Sequence, residues 1–298
     1  KGRVAMIVPA MPLLYQNSSD QTREFRKKLF TTYTVEEVVS LTHLRAQLFE
    51  KVKAKACVVT LQPVQPSSPD LELSYICPQP QYSSDDKALI IIEPQDTHSI
   101  THAEAAYDPI VWSVLLLGGR RDLRLVRQLR GEKTLATLRA SSKATAKDGE
   151  VLLYREGIIR GSTKQRDEKQ ILGRRILENP NFPGQDSIRL CANDLPINQN
   201  PKVDHLHASK DFSAFELPQL ILKKTLLKSV GRFQARLVTG VDRGIICTHS
   251  YVSVHQLNGA DGWLRSACLT FRSRLSAYFL TLTGRLGSER PEALSAEI

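Results

Sequence analysis

Histidines, cysteines, paired glycines and clustered cations are the residues of this chain whose types and spacing could do chemistry. His205 and His207 form an H-x-H, but no third or fourth ligand stands at a usable spacing, so metal binding is not expected there. Cys57, Cys77, Cys191, Cys247 and Cys268 are odd in number, widely spaced and without a C-x-x-C pair. That pattern fits a reducing compartment and argues against a zinc site or a disulfide framework. Gly118-Gly119 follows an apolar run, yet Arg120-Arg121-Asp122 comes next and no further glycine completes a G-x-G-x-x-G cradle. A helix-breaking turn is the expected reading. The cations carry more information: 41 Lys and Arg against 31 Asp and Glu leave a formal charge of +10 and a pI near 9.4. Such a surplus suits a polyanionic partner through phosphate neutralisation and counterion release, and it also suits plain solubility.

Elements must hold these residues in place. At 298 residues and 41% hydrophobic the chain can bury a sizeable core in about two domains. No apolar run approaches the ~18 residues that span a bilayer, and no basic-then-apolar leader is present, so a cytoplasmic protein is expected. The chain starts at Lys1 and enters a strand-like run at once, which is the expected look of a sequence taken from inside a longer protein.

Arg3 to Val8 reads as a buried strand ended by Pro9 and Pro12. Gln21 to Tyr33 reads as a helix with Phe25, Leu29, Phe30 and Tyr33 on one face and Ser19 or Asp20 as N-cap. Val35 to Leu41 and Ala56 to Leu61 are strands separated by a helical turn at Leu44 to Phe49. This is α/β grammar, with continuous apolar strands expected to be buried on both faces. Pro63 to Tyr82 is Pro-, Gln- and Ser-rich and reads as a linker, Lys87 to Pro94 as a strand, and Trp112 to Leu129 as two short helices. From Thr134 to Gly259 short β runs alternate with Gly, Asn and Pro, at Val151 to Tyr154, Gly157 to Arg160, Ser187 to Cys191, Leu220 to Lys223, Phe233 to Val238, Gly244 to Cys247 and Tyr251 to His255. A mostly β domain with long loops is expected. Trp263 to Leu282 reads as one amphipathic helix with Gly284 as C-cap.

The opening G-R-V-A-M-I-V-P, the F-R-K-K-L helix, V-E-E-V-V-S-L, L-R-A-Q-L-F and A-C-V-V-T-L resemble the last third of the catalytic domain of N6-adenine DNA methyltransferases from type I and type IIG-like restriction-modification systems. Asp108 to Trp112, Asp122 to Leu129, Thr134-Leu135 and G-I-I-R-G at Gly157 to Gly161 look like that family's connector. Pro218 to Lys223 with Gly231-Arg232-Phe233 looks like its recognition domain, and Ser273 to Pro291 like its C-terminal helix and following loop. The resemblance covers nearly the whole chain in order. It departs at Arg272-Ser273, where the family commonly shows Asn-Ser.

The resemblance implies the C-terminal part of a Rossmann-like methyltransferase sheet (1–62), a linker and connector (63–133), a mixed α+β, mostly β target-recognition domain (134–259) and a C-terminal helix and tail (260–298). It implies S-adenosylmethionine as donor and a flipped adenine as acceptor. Neither the glycine turn for the donor nor the Asn/Asp-Pro-Pro-aromatic catalytic element is present. Asn179-Pro180-Asn181-Phe182 lacks the second proline and reads as a turn, as does Asp108-Pro109. Donor and catalytic residues are therefore expected upstream of Lys1, and none is assigned in this chain. What the resemblance leaves here is recognition of double-stranded DNA, with restriction or specificity subunits as further partners. Candidate phosphate contacts are Arg160, Lys164, Arg166, Lys223, Lys224, Lys228, Arg232 and Arg236, and candidate base readers are Gln234, Arg236 and Asn258. In the same layout Pro9 to Tyr15 would face the base pocket. A non-enzymatic DNA-binding specificity subunit is the alternative, disfavoured by the strand-helix alternation of Arg3 to Leu61. A nucleotide-dependent enzyme of another α/β family and a decayed remnant are also left open.

Overall fold

The first strand, β1 (Val4–Pro9), leads through one turn of π-helix (Met11–Tyr15) and α1 (Asp20–Thr32) into β2 (Thr34–Ser40). After α2 (Arg45–Leu48) come β3 (Ala56–Gln62), β4 (Glu72–Ile76), β5 (Gln79–Tyr82), β6 (Ala88–Ile91) and β7 (Thr97–Thr101), then α3 (His102–Tyr107), α4 (Val111–Leu117) and α5 (Arg120–Arg130). This computed structural model describes residues 2–16, 19–49, 54–82, 88–131, 138, 140, 151–161, 163–178, 182, 187–204, 212–226, 231–257 and 259–284. The chain forms two compact units, Lys1–Gly131 and Glu132–Ile298, in a mixed α/β arrangement with several sheets. No described helix is long and apolar enough to cross a membrane.

In the first unit the sheet order is β1-β3-β2-β4-β7. Strand β3 runs antiparallel to both neighbours, β2 is parallel to β4, and β7 is antiparallel to β4. It follows that β1 and β2, joined through α1, are parallel to one another. The expectation of strands buried on both faces is corrected. Along β3, Cys57, Val59 and Leu61 are buried while Ala56, Val58, Thr60 and Gln62 are half-exposed. The valine-rich text hid this period-2 pattern because β-branched residues suit a half-covered face as well as a core. Strand β1 lies at the sheet's edge with most of its residues exposed, Ile7 at 66%. The segment read as a linker is also corrected: it contains β4, whose Leu73 and Tyr75 are buried.

Helices cover the buried face. Phe30 of α1 and Tyr75 of β4 meet Trp112 of α4, with ring centroids 5.4 and 4.9 Å from the indole, and all three are fully buried. His102, also buried, donates from Nδ1 to the Leu71 carbonyl (2.8 Å) and accepts at Nε2 from the Val35 amide (3.1 Å). Gly118-Gly119 forms the expected break between α4 and α5, and the Gly119 amide donates to Asp122 Oδ2 at 2.6 Å.

Helix α5 is fastened to α3 by ion pairs, Arg120 and Arg127 to Glu104 (2.9 Å each) and Arg127 to Asp108 (2.6 Å). Burial works against ionising Glu104, but hydrogen bonds from Arg120, Arg127 and the Thr101 amide outweigh it and hold the carboxyl below its ordinary value. A depressed acid contributes stability above its unfolded pKa, and that contribution is lost as pH falls through the folded value. Acidification from about pH 6 to about pH 3 should therefore lower the first unit's melting temperature more in the wild type than in Glu104→Gln. Equal drops in calorimetric scans of the two would refute this role.

The second unit holds β8 (Leu152–Glu156), β9 (Gln165–Asp167), β10 (Ile176–Leu177), β11 (Arg189–Cys191), β12 (Lys202–Asp204), β13 (Gln219–Lys223), β14 (Ala235–Thr239), β15 (Ile246–Cys247) and β16 (Tyr251–Gln256). Its main sheet is ordered β11-β14-β13-β16-β8, antiparallel except at the β11/β14 edge. The expected β runs fall on strands or, at Gly157 to Arg160, on an isolated bridge between Ile158 and Thr248. The single helix expected at Trp263 to Leu282 is two, α6 (Gly262–Phe271) and α7 (Arg274–Thr283). Ser273 caps α7 by accepting from the Ser276 amide at 3.0 Å. Arg272, at the departure from the family pattern, donates to the Ser187 and Ala235 carbonyls (2.9 and 3.2 Å). Leu264, Ala267, Cys268 and Phe271 of α6 bury one face of the sheet with Leu220, Leu222, Val252 and Val254, while Trp263 remains 44% exposed.

Candidate nucleic-acid interface

Alternation along β13 and β16 places Gln219, Ile221 and Lys223 beside His255, Ser253 and Tyr251, and Ile221 beside Arg236 of β14. These residues form the sheet face turned away from α6, and all of them are buried. Gln219 donates to the Ile245 carbonyl (2.9 Å) and to Ser253 Oγ (2.7 Å) and accepts from the Ile245 amide (2.8 Å). Ser253 in turn donates to the Ala214 carbonyl at 2.6 Å. Within this buried polar layer Gln219 and Ser253 thus fix the loops carrying Ile245 and Ala214, while the buried Tyr251 hydroxyl makes no hydrogen bond.

This layer takes up two of the candidate contacts. Lys223 is only 8% exposed, and Arg236, with no exposure, lies over the Phe182 ring with its guanidinium carbon 4.8 Å from the centroid. Two more are engaged near the surface. Lys224 pairs with Glu156 at 3.2 Å, its side chain 13% exposed. Arg160 pairs with Glu178 and donates to Asn198 Oδ1 (2.6 Å) and the Asn200 carbonyl (3.1 Å). Asn198, itself buried, holds the Ile171 carbonyl at 2.8 Å. Arg160 therefore braces the 197–200 loop that delivers β12 to β9.

What that brace presents to solvent is mixed in charge, cations standing beside exposed Asp167. Beyond Gly161, whose φ of +99° turns the chain through the left-handed region, Lys164 and Arg166 are exposed on the β9/β12 ribbon. Lys169 and Lys202, which the sequence reading passed over, are exposed on or beside it. Their signal was the pairing of two short polar runs, invisible without the register. Arg232 is exposed elsewhere on the unit, ahead of buried Phe233, and Gln234 is half-buried. Lys228, Asn258, His205, His207 and Asn179 to Asn181 lie outside the described residues. Among those described, no group of three His, Cys, Asp or Glu side chains could hold a metal. Burial raises the Cys57 and Cys77 thiols to about 12, and Cys191 is exposed.

The expected base-pocket loop of the first unit is a packed element instead. Leu13 and Leu14 are buried, and Arg26 of α1 reaches back to the Leu13 and Gln16 carbonyls (2.8 and 2.9 Å). The Tyr15 hydroxyl meets Ser40 Oγ (2.8 Å), Thr42 Oγ1 (3.2 Å) and the Tyr75 hydroxyl (3.1 Å). Burial, partly offset by these hydrogen bonds, pushes its pKa well up. The neutral phenol thus closes the carboxyl end of β2. Nor do the described residues fit a methyl-donor cradle: Gly2 is the only glycine ahead of Gly118, so no loop leaving β1, β2 or β3 lets backbone approach a ligand as a glycine turn does.

No family model matches the chain, and no curated protein matches it. Among solved structures, the type IIG restriction endonuclease BpuSI is similar to it at a TM-score of 0.33 and 12% identity, over 99% of this chain and 39% of that one. The chain thus spans well under half the length of this neighbour, and so loose a likeness carries no functional argument.

Proposed function

We propose that this chain closes the catalytic sheet and selects the DNA target of an S-adenosylmethionine-dependent DNA adenine-N6 methyltransferase from a restriction-modification system. The observation that carries the proposal is the topology of Val4 to Gln62: two parallel strands joined through α1, with a reversed strand between them and an open edge at β1. Two parallel strands joined through a helix are compatible with part of a mixed sheet in an α/β protein, and they lie in the segment whose text resembles the methylases. The open edge supports a continuing sheet. Beside it Met6, Val8, Phe25, Leu29, Val59 and Leu61 line an apolar groove of about 260 Å³, the kind of surface on which further strands and helices pack.

Donor binding and methyl transfer are assigned to residues outside this chain, and no chemical step passes through those described here. The second unit's role is phosphate contact through Lys164, Arg166 and Arg232, which positions the loops that read base edges. The full 298-residue chain should bind duplex DNA with an affinity that falls steeply with salt. Lys164→Gln, Arg166→Gln and Arg232→Gln combined should weaken it on the order of tenfold or more on any duplex sequence. Isothermal calorimetry should find no donor binding by the chain alone. Heat from S-adenosylmethionine, or no DNA binding at low salt, would sink the proposal.

A further inference from the structure

The outer edge of β1 carries main-chain groups with nothing to pair with. Its register with β3 runs from Val4 opposite Leu61 to Pro9 opposite Ala56 without a bulge, and the Ala10 amide continues it onto the Lys55 carbonyl at 2.9 Å. Antiparallel pairs alternate between hydrogen-bonded and open ones, so Val4, Met6 and Val8 turn their main-chain groups to β3. The Leu41 amide on the Ala56 carbonyl (3.0 Å) gives the same phase from the other side, since it commits Ala56, Val58 and Thr60 to β2. The amides and carbonyls of Ala5 and Ile7 therefore point away from the sheet. Such edges are ordinarily blunted by a lysine, a bulge or a covering element. Strand β1 has no charge, and its one proline stands last and blunts only that end.

Both faces of this edge are apolar. Met6 and Val8 share the groove with Phe25, Leu29, Val59 and Leu61, and Phe25 is 57% exposed. Ile7, at 66%, stands on the opposite face beside Val58. The strand that fits is uncharged, apolar and open on one edge, and β1 is itself such a strand. A two-fold axis through Met6 makes the pairing antiparallel, with Ala5 opposite Ile7 of the second copy and Arg3 opposite its Pro9. Every outward amide then meets a carbonyl, in about six hydrogen bonds, and the proline falls where only its carbonyl is needed. Arg3, paired with Glu36 at 3.0 Å, faces that proline, so no like charges oppose one another. On the α1 side Met6 meets Met6 and Val4 meets Val8, which joins the two grooves across the axis. The contact covers on the order of 1,000 Å² in total, at the small end of specific interfaces.

We propose that β1 pairs with β1 of a second copy of this chain, antiparallel about Met6, and joins the two five-stranded sheets into one. The inference rests on the open-edge reading above and names the occupant of that edge in the 298-residue chain.

The test is sedimentation equilibrium of the full chain at about 0.15 M salt and up to about 100 μM protein. Wild type is expected to associate reversibly to a dimer. Ile7→Lys places a charge on an exposed side chain and leaves the β1/β3 ladder intact; it should weaken association on the order of tenfold or more. Ile90→Lys, on β6 at 46% exposure, should associate as wild type does. Cross-linking fixes the register in a Cys191→Ser background, which removes the exposed thiol. Met6→Cys stands opposite itself across the axis and should form an intermolecular disulfide under diamide. Val4→Cys, at a position of similar exposure, has its mate about 14 Å along the strand and should not. A monomeric wild type, an Ile7→Lys variant that associates like wild type, or equal cross-linking at positions 4 and 6 overturns the inference. Each of these leaves the DNA-binding reading standing, because that reading fails on its duplex and donor titrations alone.

Discussion

Replacing Gly157 with alanine is expected to destabilise the second unit by about 3 to 5 kcal/mol, enough to unfold much of it at physiological temperature. A Cβ at this position would lie 2.1 Å from the Thr248 carbonyl oxygen, 2.3 Å from that of Cys247 and 2.4 Å from the Thr248 carbonyl carbon. All three are main-chain atoms, so no side chain can swing away. Nor can the strands part cheaply, because the approach is stitched by Gly157 N to Tyr251 O (2.9 Å), Ile158 N to Cys247 O (2.8 Å) and His249 N to Ile158 O (3.0 Å). Relief of the clash breaks hydrogen bonds worth about 1 kcal/mol each, beside fully buried Ile158 and Cys247. Urea titration followed by circular dichroism would measure the effect. A loss under about 1 kcal/mol would show that the two segments do not pass so closely.

Arg174→Met is expected to cost a comparable amount, about 3 to 5 kcal/mol. This guanidinium, 4% exposed, donates to the Gly244 carbonyl from Nε (3.0 Å) and Nη2 (2.6 Å), to the Phe215 carbonyl, and from Nη1 to Glu216 (3.2 Å). It holds two crossing loops to one another. Burial lowers its pKa to about 10, still far above neutrality, so the cation persists at pH 7. Methionine keeps most of the volume but abandons two buried carbonyls and a carboxylate. Arg174→Lys should recover only part of the loss, since a single ammonium cannot serve the Gly244 and Phe215 carbonyls with the same fork. Full stability in the lysine variant would mean that charge alone matters, and an unchanged methionine variant would mean that the loops are held by something else.

The parts of this architecture that were legible in the sequence are those where apolar periodicity reports burial directly. Val4 to Pro9, α1, β2 and β3 lie within a few residues of their expected places, as do the strands around Leu220 and Val252. Strand β4 escaped because E-L-S-Y-I sits in a Pro-, Gln- and Ser-rich stretch, and only Leu73 and Tyr75 point inward. Strand β7, T-H-S-I-T, offers one buried apolar residue, Ile100; its existence depends on pairing with β4, a long-range fact that no local window contains. The cations were hardest to sort. Lys223 and Arg236 looked like surface charges, yet strand alternation aims them at a polar interior layer. The clue was present in the period-2 positions Gln219 and Lys223 of one strand and Tyr251, Ser253 and His255 of the other, where side chains with polar groups share a face of strands that are otherwise apolar. The α5 arginines stood in plain view, but only the pairing with Glu104 and Asp108 separates those that tie the fold from those that face outward.

The chain's two tryptophans divide neatly between its two units. Trp112 is sealed among rings with no exposure, whereas Trp263 stands 44% open to water. In the native state one indole emits from a dry environment and the other from a wet one. A red shift on denaturation then reports chiefly the melting of Lys1–Gly131, while loss of strand ellipticity without it reports the other half. Intrinsic fluorescence thus resolves which half fails first, without labels and without cutting the polypeptide.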